Sequence, residues 1–205
     1  MKVLQILPQL NIGGVERGTL DLSKALILKG HQAFVISGGG VLVDELTQCG
    51  AKHYEIPVHI KSLRTLSLAK RLSETISSID PDIVHVRSRM PAWVNYRAFK
   101  MLQKKPLLVS TFHGLYSFPI YSKVMSFVDH SIAISKTVER YILENYKLDK
   151  GDITVIPRGC DPLEFNNEVI NPVDKANIIE EFPQIVGKKV LTIPGRITKW
   201  KGIAE

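Results

Sequence analysis

Cysteine is scarce in this sequence, and long apolar runs are absent. Two cysteines, Cys49 and Cys160, occur among 205 residues, which is too few for a disulfide framework, and their spacing is not that of a metal site. No run reaches the ~20 apolar residues that a membrane-spanning helix needs. The apolar run at the amino terminus is too short for a secretory signal peptide. We therefore expect a cytoplasmic protein in a reducing compartment.

Acidic residues are in deficit. The sequence has 27 Lys and Arg against 20 Asp and Glu, and residues 51–150 alone hold 16 basic and 8 acidic residues. A hydrophobic content of 44% excludes disordered and fibrous classes. The basic stretch indicates an anionic partner, which leaves nucleic acid, an anionic lipid surface and a phosphorylated ligand open. A solvated basic surface without a partner is the alternative.

Strand-like and helix-like patterns alternate along most of the chain. Val3–Leu7 and Ile83–Val86 are typical of buried strands, Val15–Leu28 and Ala92–Leu102 have helical spacing, and Ser135 is suited to cap a further helix. The alternation predicts an α/β fold with a doubly wound, mostly parallel sheet and helices on both faces, that is, a Rossmann-like domain. Ligands of such sheets bind beyond the carboxyl ends of the strands, so the residues there are the candidate site residues.

The composition changes after Pro157. Residues 1–157 are predicted to form the Rossmann-like domain, and residues 158–187, which are acidic and contain three prolines, to form a connector with one short helix. Residues 188–205 are predicted to hold the first strand, Lys189–Ile193, and the following loop of a second domain that is mostly missing from the chain.

Two adjacent glycines, Gly13 and Gly14, follow the first strand, and Glu16 lies close behind them. Adjacent glycines let backbone N–H groups approach a ligand closely, and the N-terminus of the next helix favours an anion. The alternative is a tight turn that needs a positive φ. The dinucleotide pattern Gly-x-Gly-x-x-Gly is absent, and the second strand ends at Ser37 rather than at an acidic residue. This disfavours a Rossmann-like oxidoreductase with a nucleotide cofactor, which stays an alternative.

Charged side chains and a histidine follow three later strands. Arg87 and Arg89 follow the fourth, His113 the fifth, and Arg158 and Asp161 the seventh. Arginines at the mouth of a sheet suit a phosphate or carboxylate, and a histidine there can bind a sugar or phosphate. The alternatives are a solvated pair of arginines, a structural histidine and a simple turn at Asp161.

A further basic pair, Arg196 and Lys201, lies in the loop after the predicted strand Lys189–Ile193. Two such cations can converge on a diphosphate. A basic loop without a ligand is the alternative.

Taken together, these motifs resemble GT-B glycosyltransferases of the group 1, or family 4, type. The order and spacing of the motifs also fit, and Gly195-Arg196-x-x-x-x-Lys201-Gly202 is the most specific match. The resemblance is carried by Gly13-Gly14-x-Glu16, Phe112-His113-Gly114, Val155-Ile156-Pro157-Arg158-Gly159-x-Asp161 and Gly195-Arg196-x-x-x-x-Lys201-Gly202.

The resemblance implies retaining transfer of a sugar, of the hexosyltransferase type, from a nucleotide-diphosphate sugar to a glycan or glycolipid in cell-envelope polysaccharide or lipopolysaccharide synthesis. It implies that His113 touches the donor sugar near the reacting carbon, and that Arg196 and Lys201 neutralise the leaving diphosphate. Gly13 and Gly14 would face that phosphate or the acceptor. The remaining residues assigned to the cleft or the acceptor are Glu16, Arg87, Arg89, Arg158 and Asp161.

The resemblance also sets expectations about partners. No Asp-x-Asp metal motif is assigned, so we expect no metal and no cofactor besides the donor substrate. The family's second domain should supply an acidic Glu-x7-Glu region, and because the chain ends before it, the chain alone is expected to be inactive. Residues 51–150 are expected to contact an anionic membrane at the inner face of the plasma membrane. A nonenzymatic nucleic-acid-binding module is the remaining alternative, although no recognised binding motif is present.

Overall fold

A computed structural model describes residues 1–60, 63–116, 119–160, 162 and 171–192. The chain divides into two compact units, residues 1–158 and residues 159–205. The strands of the first unit are β1 Lys2–Ile6, β2 Gln32–Ser37, β3 Lys52–Glu55, β4 Ile83–Val86, β5 Leu107–Phe112, β6 His130–Ala133 and β7 Ile153–Val155. Its helices are α1 Gly14–Leu28, α2 Val43–Gln48, α3 Leu63–Ile79, α4 Arg89–Phe99, α5 Pro119–Ser122 and α6 Lys136–Asn145, with 3₁₀ turns at Lys123–Ser126 and Lys150–Asp152.

All seven strands are parallel and form one sheet in the order β3-β2-β1-β4-β5-β6-β7. The predicted doubly wound α/β fold is confirmed. The chain starts in the middle of the sheet at β1, winds outward to β3 and then returns to β4 on the other side of β1. The point between β1 and β4 is therefore the switch point of the topology, where a crevice opens at the carboxyl edge.

The sheet separates two apolar clusters, because successive side chains of a strand point to opposite faces. In β2, Phe34 and Ile36 belong to the larger cluster, whereas Ala33 and Val35 belong to the smaller one. The larger cluster includes apolar residues of α3, α4 and α6, and the smaller one includes residues of α1 and α2. Helices cover both faces, as a parallel sheet requires. Within the described ranges, no helix combines the length and the apolar character needed to cross a bilayer.

The second unit contains one α-helix in its described part, α7 Pro172–Glu181. Its N-cap is Asn171, whose side chain accepts a hydrogen bond from the Val173 N–H at 2.9 Å. The predicted strand Lys189–Ile193 is not formed over residues 189–192, and Ile193 lies outside the described residues. A strand needs a neighbour for its N–H and C=O groups, and no described strand pairs with this segment.

The loops after β1 and β2 are joined by backbone hydrogen bonds at the carboxyl edge. The Leu10 N–H donates to the Gly39 carbonyl at 2.7 Å, and the Leu42 N–H donates to the Leu10 carbonyl at 2.9 Å. Gly40 has a φ of +141°, and a Cβ at this position would lie 2.4 Å from the carbonyl carbon of Leu10. A side chain at residue 40 would therefore collide with backbone that cannot easily move.

We expect Gly40→Ala to lower the free energy of unfolding by about 3 kcal/mol, because backbone strain adds to the collision. The matched control is Gly30→Ala, where φ is +75° and a Cβ meets nothing within 4 Å. That variant should lose only about 1 kcal/mol from the left-handed backbone. Urea unfolding of both variants measures the difference, and equal losses would contradict the collision.

Candidate active site

Arg158 connects three separate segments at the carboxyl edge of the sheet. It follows β7, and its Nη1 donates to the carbonyl oxygen of Gly14. Its Nη2 donates to Nδ1 of His113 over 2.9 Å. Arg158 therefore contacts both His113 and Gly14, which the sequence also placed among the site residues, although Gly14 and Arg158 are 144 residues apart.

The two glycines at the start of α1 leave room for charged side chains. Gly13 has an extended backbone with a φ of 173° and gives α1 no side-chain cap. A Cβ on Gly13 would lie 2.4 Å from Oε2 of Glu16, and one on Gly14 would lie 2.9 Å from Nη1 of Arg158. The left-handed turn that the sequence left open is wrong, since Gly13 is extended and neither glycine has a φ in the left-handed region. The absence of side chains here lets the ends of Glu16 and Arg158 lie close to the backbone.

Arg87 is buried beneath α1 rather than solvated at the surface. Its side chain is 7% exposed, and its Nη1 donates to Oε1 of Gln5 over 2.8 Å. Gln5 is held in turn, because its Nε2 donates to the Thr19 carbonyl and to Oγ of Ser23. A Cβ on Gly18 would lie 3.2 Å from Nη2 of Arg87. The predicted alternative of a solvated arginine pair is thus wrong for Arg87.

The guanidinium groups of Arg87 and Arg158 lie near each other, since a Cβ on Gly18 would be 3.2 Å from Nη2 of Arg87 and 3.9 Å from Nη1 of Arg158. Among the described residues, neither takes part in an ion pair with a carboxylate. Burial, with the repulsion by Arg158 as the next cause, lowers the pKa of Arg87 to about 10, although Glu16 and Asp21 oppose the shift. Two like charges without a bound carboxylate, beside a helix N-terminus, are typical of an anion-binding site.

Arg89 makes different contacts from Arg87. Its guanidinium lies over the rings of Tyr116 and Tyr121, with centroid distances of 4.8 and 5.4 Å. Stacking on two rings restrains this cation at the first turn of α4. The sequence placed both arginines at the mouth of the sheet, and the structure separates them into a buried and a stacked cation.

His113 follows β5 and is mostly buried. Burial, with the positive charges of Arg87 and Arg158 as further causes, lowers its pKa to about 3. Its Nε2 is enclosed and has no hydrogen-bond partner in the described part of the chain. The imidazole is therefore neutral near pH 7 and carries an unused polar atom. His85, in contrast, is a packed residue whose Nε2 lies 2.7 Å from Oγ1 of Thr111.

We expect His113 to make the fold sensitive to acid. Its pKa in the folded state lies below the ordinary value of 6.5, so between pH 6.5 and about 3 the unfolded state binds more protons and stability falls as pH falls. From pH 7 to pH 5 this effect amounts to about 2 kcal/mol. Glutamine does not titrate and offers an oxygen to Arg158, so His113→Gln should lose about 2 kcal/mol less over this range. Urea unfolding at both pH values tests this, and equal acid losses in the two proteins would contradict it.

Some predicted site residues cannot be placed. Asp161, Arg196 and Lys201 lie outside the described residues. Glu16 is placed, with its carboxylate beside Gly13 at the start of α1. The described part of the site therefore consists of the α1 N-terminus, the two guanidinium groups and His113.

Gln5 is the site residue that the sequence analysis missed. It is the one polar residue within the apolar run Val3–Leu7, and it is completely buried. A lone amide in a central strand needs buried hydrogen-bond partners, which is the signal that could have indicated a buried polar neighbour. Its partner Arg87 lies 82 residues away.

Asp80-Pro81-Asp82 has the Asp-x-Asp spacing, although the sequence analysis assigned no such motif. Both carboxylates have partners at the amino edge of the sheet, away from the site. Asp80 accepts from Nζ of Lys104 at 2.8 Å, and Asp82 accepts from the Lys2 N–H at 2.7 Å. Asp80 and Asp82 thus connect secondary structure elements far from His113.

Several known proteins resemble this chain in sequence. Residues 12–163 match the family model of Glycosyltransferase Family 4. An uncharacterised glycosyltransferase of Methanocaldococcus jannaschii is 31% identical over 151 residues, which cover 65% of this chain and 36% of that protein. One subunit of the human phosphatidylinositol N-acetylglucosaminyltransferase is 25% identical over 190 residues, or 82% of this chain and 38% of that protein. The chain thus spans little more than a third of these relatives.

Two solved structures extend the comparison. A glycosyltransferase from Rickettsia africae superposes with a TM-score of 0.80 and 36% identity, and the match covers 98% of this chain and 54% of that one. Anabaena HepE in complex with UDP-glucose gives a TM-score of 0.78 at 18% identity over 100% of this chain and 55% of that one, which shows a shared fold. The family match extends over most of the first unit, where His113, Arg87 and Arg158 lie. The chain belongs to Glycosyltransferase Family 4.

Proposed function

We propose that this chain supplies the acceptor-side half of a retaining glycosyltransferase. In this proposal a hexose passes from a nucleotide-diphosphate sugar to a glycan or glycolipid. The observation that supports it is the grouping of Arg158, His113 and the α1 N-terminus at the switch point of the sheet. HepE of the same fold has been solved with UDP-glucose, which supports a nucleotide sugar as the donor.

The chemistry of the proposed reaction depends on charge. Departure of a nucleoside diphosphate leaves negative charge on the phosphate and positive charge on the sugar ring. The uncapped N-terminus of α1 and the neighbouring guanidinium of Arg158 would stabilise the phosphate charge as it develops. Arg196 and Lys201 are assigned to the same diphosphate from the other domain. His113 would bind a sugar oxygen near the reacting carbon, and no metal is required in this scheme.

The acceptor side of the proposal concerns the surface of the first unit. Residues 51–150 carry 16 basic and 8 acidic residues, and such an excess attracts anionic lipid headgroups. We therefore assign the protein to the cytoplasmic face of the membrane, where lipid-linked acceptors of cell-envelope synthesis are extended.

We expect the 205-residue chain alone to show no turnover of nucleotide sugars, because it spans only 54% of the Rickettsia africae glycosyltransferase and the proposed site needs residues from both halves. The measurement is release of nucleotide from a panel of nucleotide-diphosphate sugars, with the Rickettsia africae glycosyltransferase as the positive control. Steady sugar transfer by the purified chain would contradict the division of the site between two domains.

A chimera tests the function itself. In the chimera, residues 1–158 of this chain replace the matching half of the Rickettsia africae protein. The assay measures transfer of a sugar from nucleotide sugars to membrane glycolipids. Gain of one hexose with the donor's anomeric configuration, read by NMR, is the expected result. Absence of transfer by the chimera where the parent protein is active would contradict the proposed function, and an inverted configuration would contradict retention.

A further inference from the structure

The hydrogen bond between Arg158 and His113 specifies which nitrogen of the imidazole carries the proton. A guanidinium group has N–H donors and no acceptor. Nη2 of Arg158 lies 2.9 Å from Nδ1 of His113, so Nδ1 must accept and cannot carry a hydrogen. In the neutral ring the proton then resides on Nε2.

We propose that Arg158 is a positioning residue that holds His113 as a neutral Nε2–H imidazole, so that His113 serves the reaction as a hydrogen-bond donor and not as an acid or base. The tautomer follows from the contacts of Arg158 alone, whereas the role in the reaction rests on the proposed function. An Nε2–H donor needs an acceptor on the ligand, which would be an oxygen with a free lone pair, such as that of a sugar hydroxyl.

The position of Arg158 is restrained from a second side. Its other terminal nitrogen, Nη1, donates to the carbonyl of Gly14 at the first residue of α1. A side chain at Gly14 would occupy this space, because its Cβ would lie 2.9 Å from Nη1. Arg158 is thus fixed between α1 and the end of β5, and His113 is oriented with it.

The Nε2 atom of His113 is where the tautomer matters. It is enclosed, and the described residues offer it no hydrogen-bond partner. A buried N–H without an acceptor is destabilising, and an oxygen of a bound ligand would supply the missing acceptor. The Nδ1–H tautomer would instead bring two donors together at Arg158 and leave Nε2 unable to donate.

The charges around the ring also favour the neutral form. Arg87 at the end of β4 and Arg158 after β7 both oppose protonation of His113. His113 is in turn one of the groups that lower the pKa of the buried His85 of β4, after burial and Arg87. Tyr116 contacts the His113 backbone and is uncharged at neutral pH, while Glu16 and Asp21 of α1 are the acidic groups that act on Arg87. Burial and these cations together keep the ring neutral well below pH 6.5.

Nitrogen NMR of the 205-residue chain tests the inference directly. His113 is assigned by the loss of its signals in His113→Gln, and its tautomer is read from the nitrogen shifts across a pH titration. The chain itself should show an Nε2–H imidazole that stays neutral until acid unfolding. In Arg158→Met, which lacks a donor, both tautomers should appear and the protonation midpoint should rise by at least about one unit.

Two further variants separate charge from hydrogen bonding. Arg158→Lys keeps a charged donor and should keep the chain's tautomer and low midpoint. Arg158→Gln removes the charge and offers an amide that can donate or accept, so the midpoint should rise and the Nδ1–H tautomer should become populated as well. An Nδ1–H ring in the unaltered chain, or an unchanged tautomer and midpoint in Arg158→Met, would overturn the inference.

Kinetics of the active chimera provide a separate test of the role. Arg158→Met should lower kcat more than it raises KM, and Arg158→Lys should restore much of the loss. A change in KM alone, with kcat unaltered in Arg158→Met, would overturn the positioning role in the reaction. If the NMR results hold and the chimera transfers no sugar, the proposed function fails while the Arg158–His113 assignment stands.

Discussion

Replacement of His113 by alanine is expected to lower kcat/KM for sugar transfer by about 100-fold or more, equivalent to about 2.7 kcal/mol of transition-state stabilisation. The variant loses the Nε2–H group that faces no acceptor in the described part of the protein. It also releases Arg158 from its contact at 2.9 Å. Steady-state kinetics of the active chimera measure the effect.

The free energy of unfolding should change little in the same variant, by less than about 1 kcal/mol at pH 7. A matched control is His130→Ala at the start of β6, where Nε2 lies 2.8 Å from Oγ1 of Thr154 at an exposed position. This control should retain sugar transfer. If His113→Ala gave near-normal turnover per folded molecule and a much lower melting temperature, His113 would be a structural residue.

Replacement of Phe112 by alanine should cause the largest loss of stability among the changes considered. Phe112 is 0% exposed, and its ring centroid lies 5.4 Å from those of both Tyr116 and Tyr146. Removing a fully buried aromatic ring costs about 3–5 kcal/mol, because apolar contacts are lost and a cavity remains. That is a large part of the ~5–15 kcal/mol by which a typical domain is stable.

Urea unfolding of Phe112→Ala and of Phe182→Ala gives the comparison. Phe182 follows α7 in the second unit and is 43% exposed, so its loss should change stability by less than about 0.5 kcal/mol. A loss below about 1 kcal/mol in Phe112→Ala would show that the aromatic cluster around Phe112 rearranges to fill the space.

The elements with strong local signals could be predicted from the sequence. The strand Ile83–Val86 is found at the predicted residues. Ser135 caps α6 as predicted, since its side chain accepts from the Val138 N–H at 3.2 Å. Apolar runs and capping side chains act over a few residues, which explains why they can be recognised without a structure.

Helix α4 shows where local reasoning fails. The sequence predicted a start at Ala92, immediately after Pro91, whereas the helix begins at Arg89. Proline is tolerated in the first turn of a helix because the N–H groups there have no intrahelical acceptor. Pro91 therefore lies inside the helix, and Arg89 belongs to its first turn instead of a preceding loop.

The candidate site could be predicted in composition but not in arrangement. Arg87, His113 and Arg158 could be identified because each follows a predicted strand, and the carboxyl ends of parallel strands lie at one edge of the sheet. The contact between His113 and Arg158 spans β6, which lies between their strands. The pairing of Gln5 with Arg87 depends on the register that sets Gln5 opposite His85. Strand order and register come from tertiary packing, which no local pattern contains.

The glycines of α1 have an evolutionary consequence. A Cβ on Gly14 would lie 2.9 Å from a guanidinium nitrogen of Arg158, and a Cβ on Gly18 would lie 3.2 Å from one of Arg87. A side chain added at either position would displace the end of the facing arginine from its present hydrogen-bond partner. Substitutions at 14 and 158, and at 18 and 87, are therefore expected to affect one another, so that the glycine and its arginine change together more often than independently.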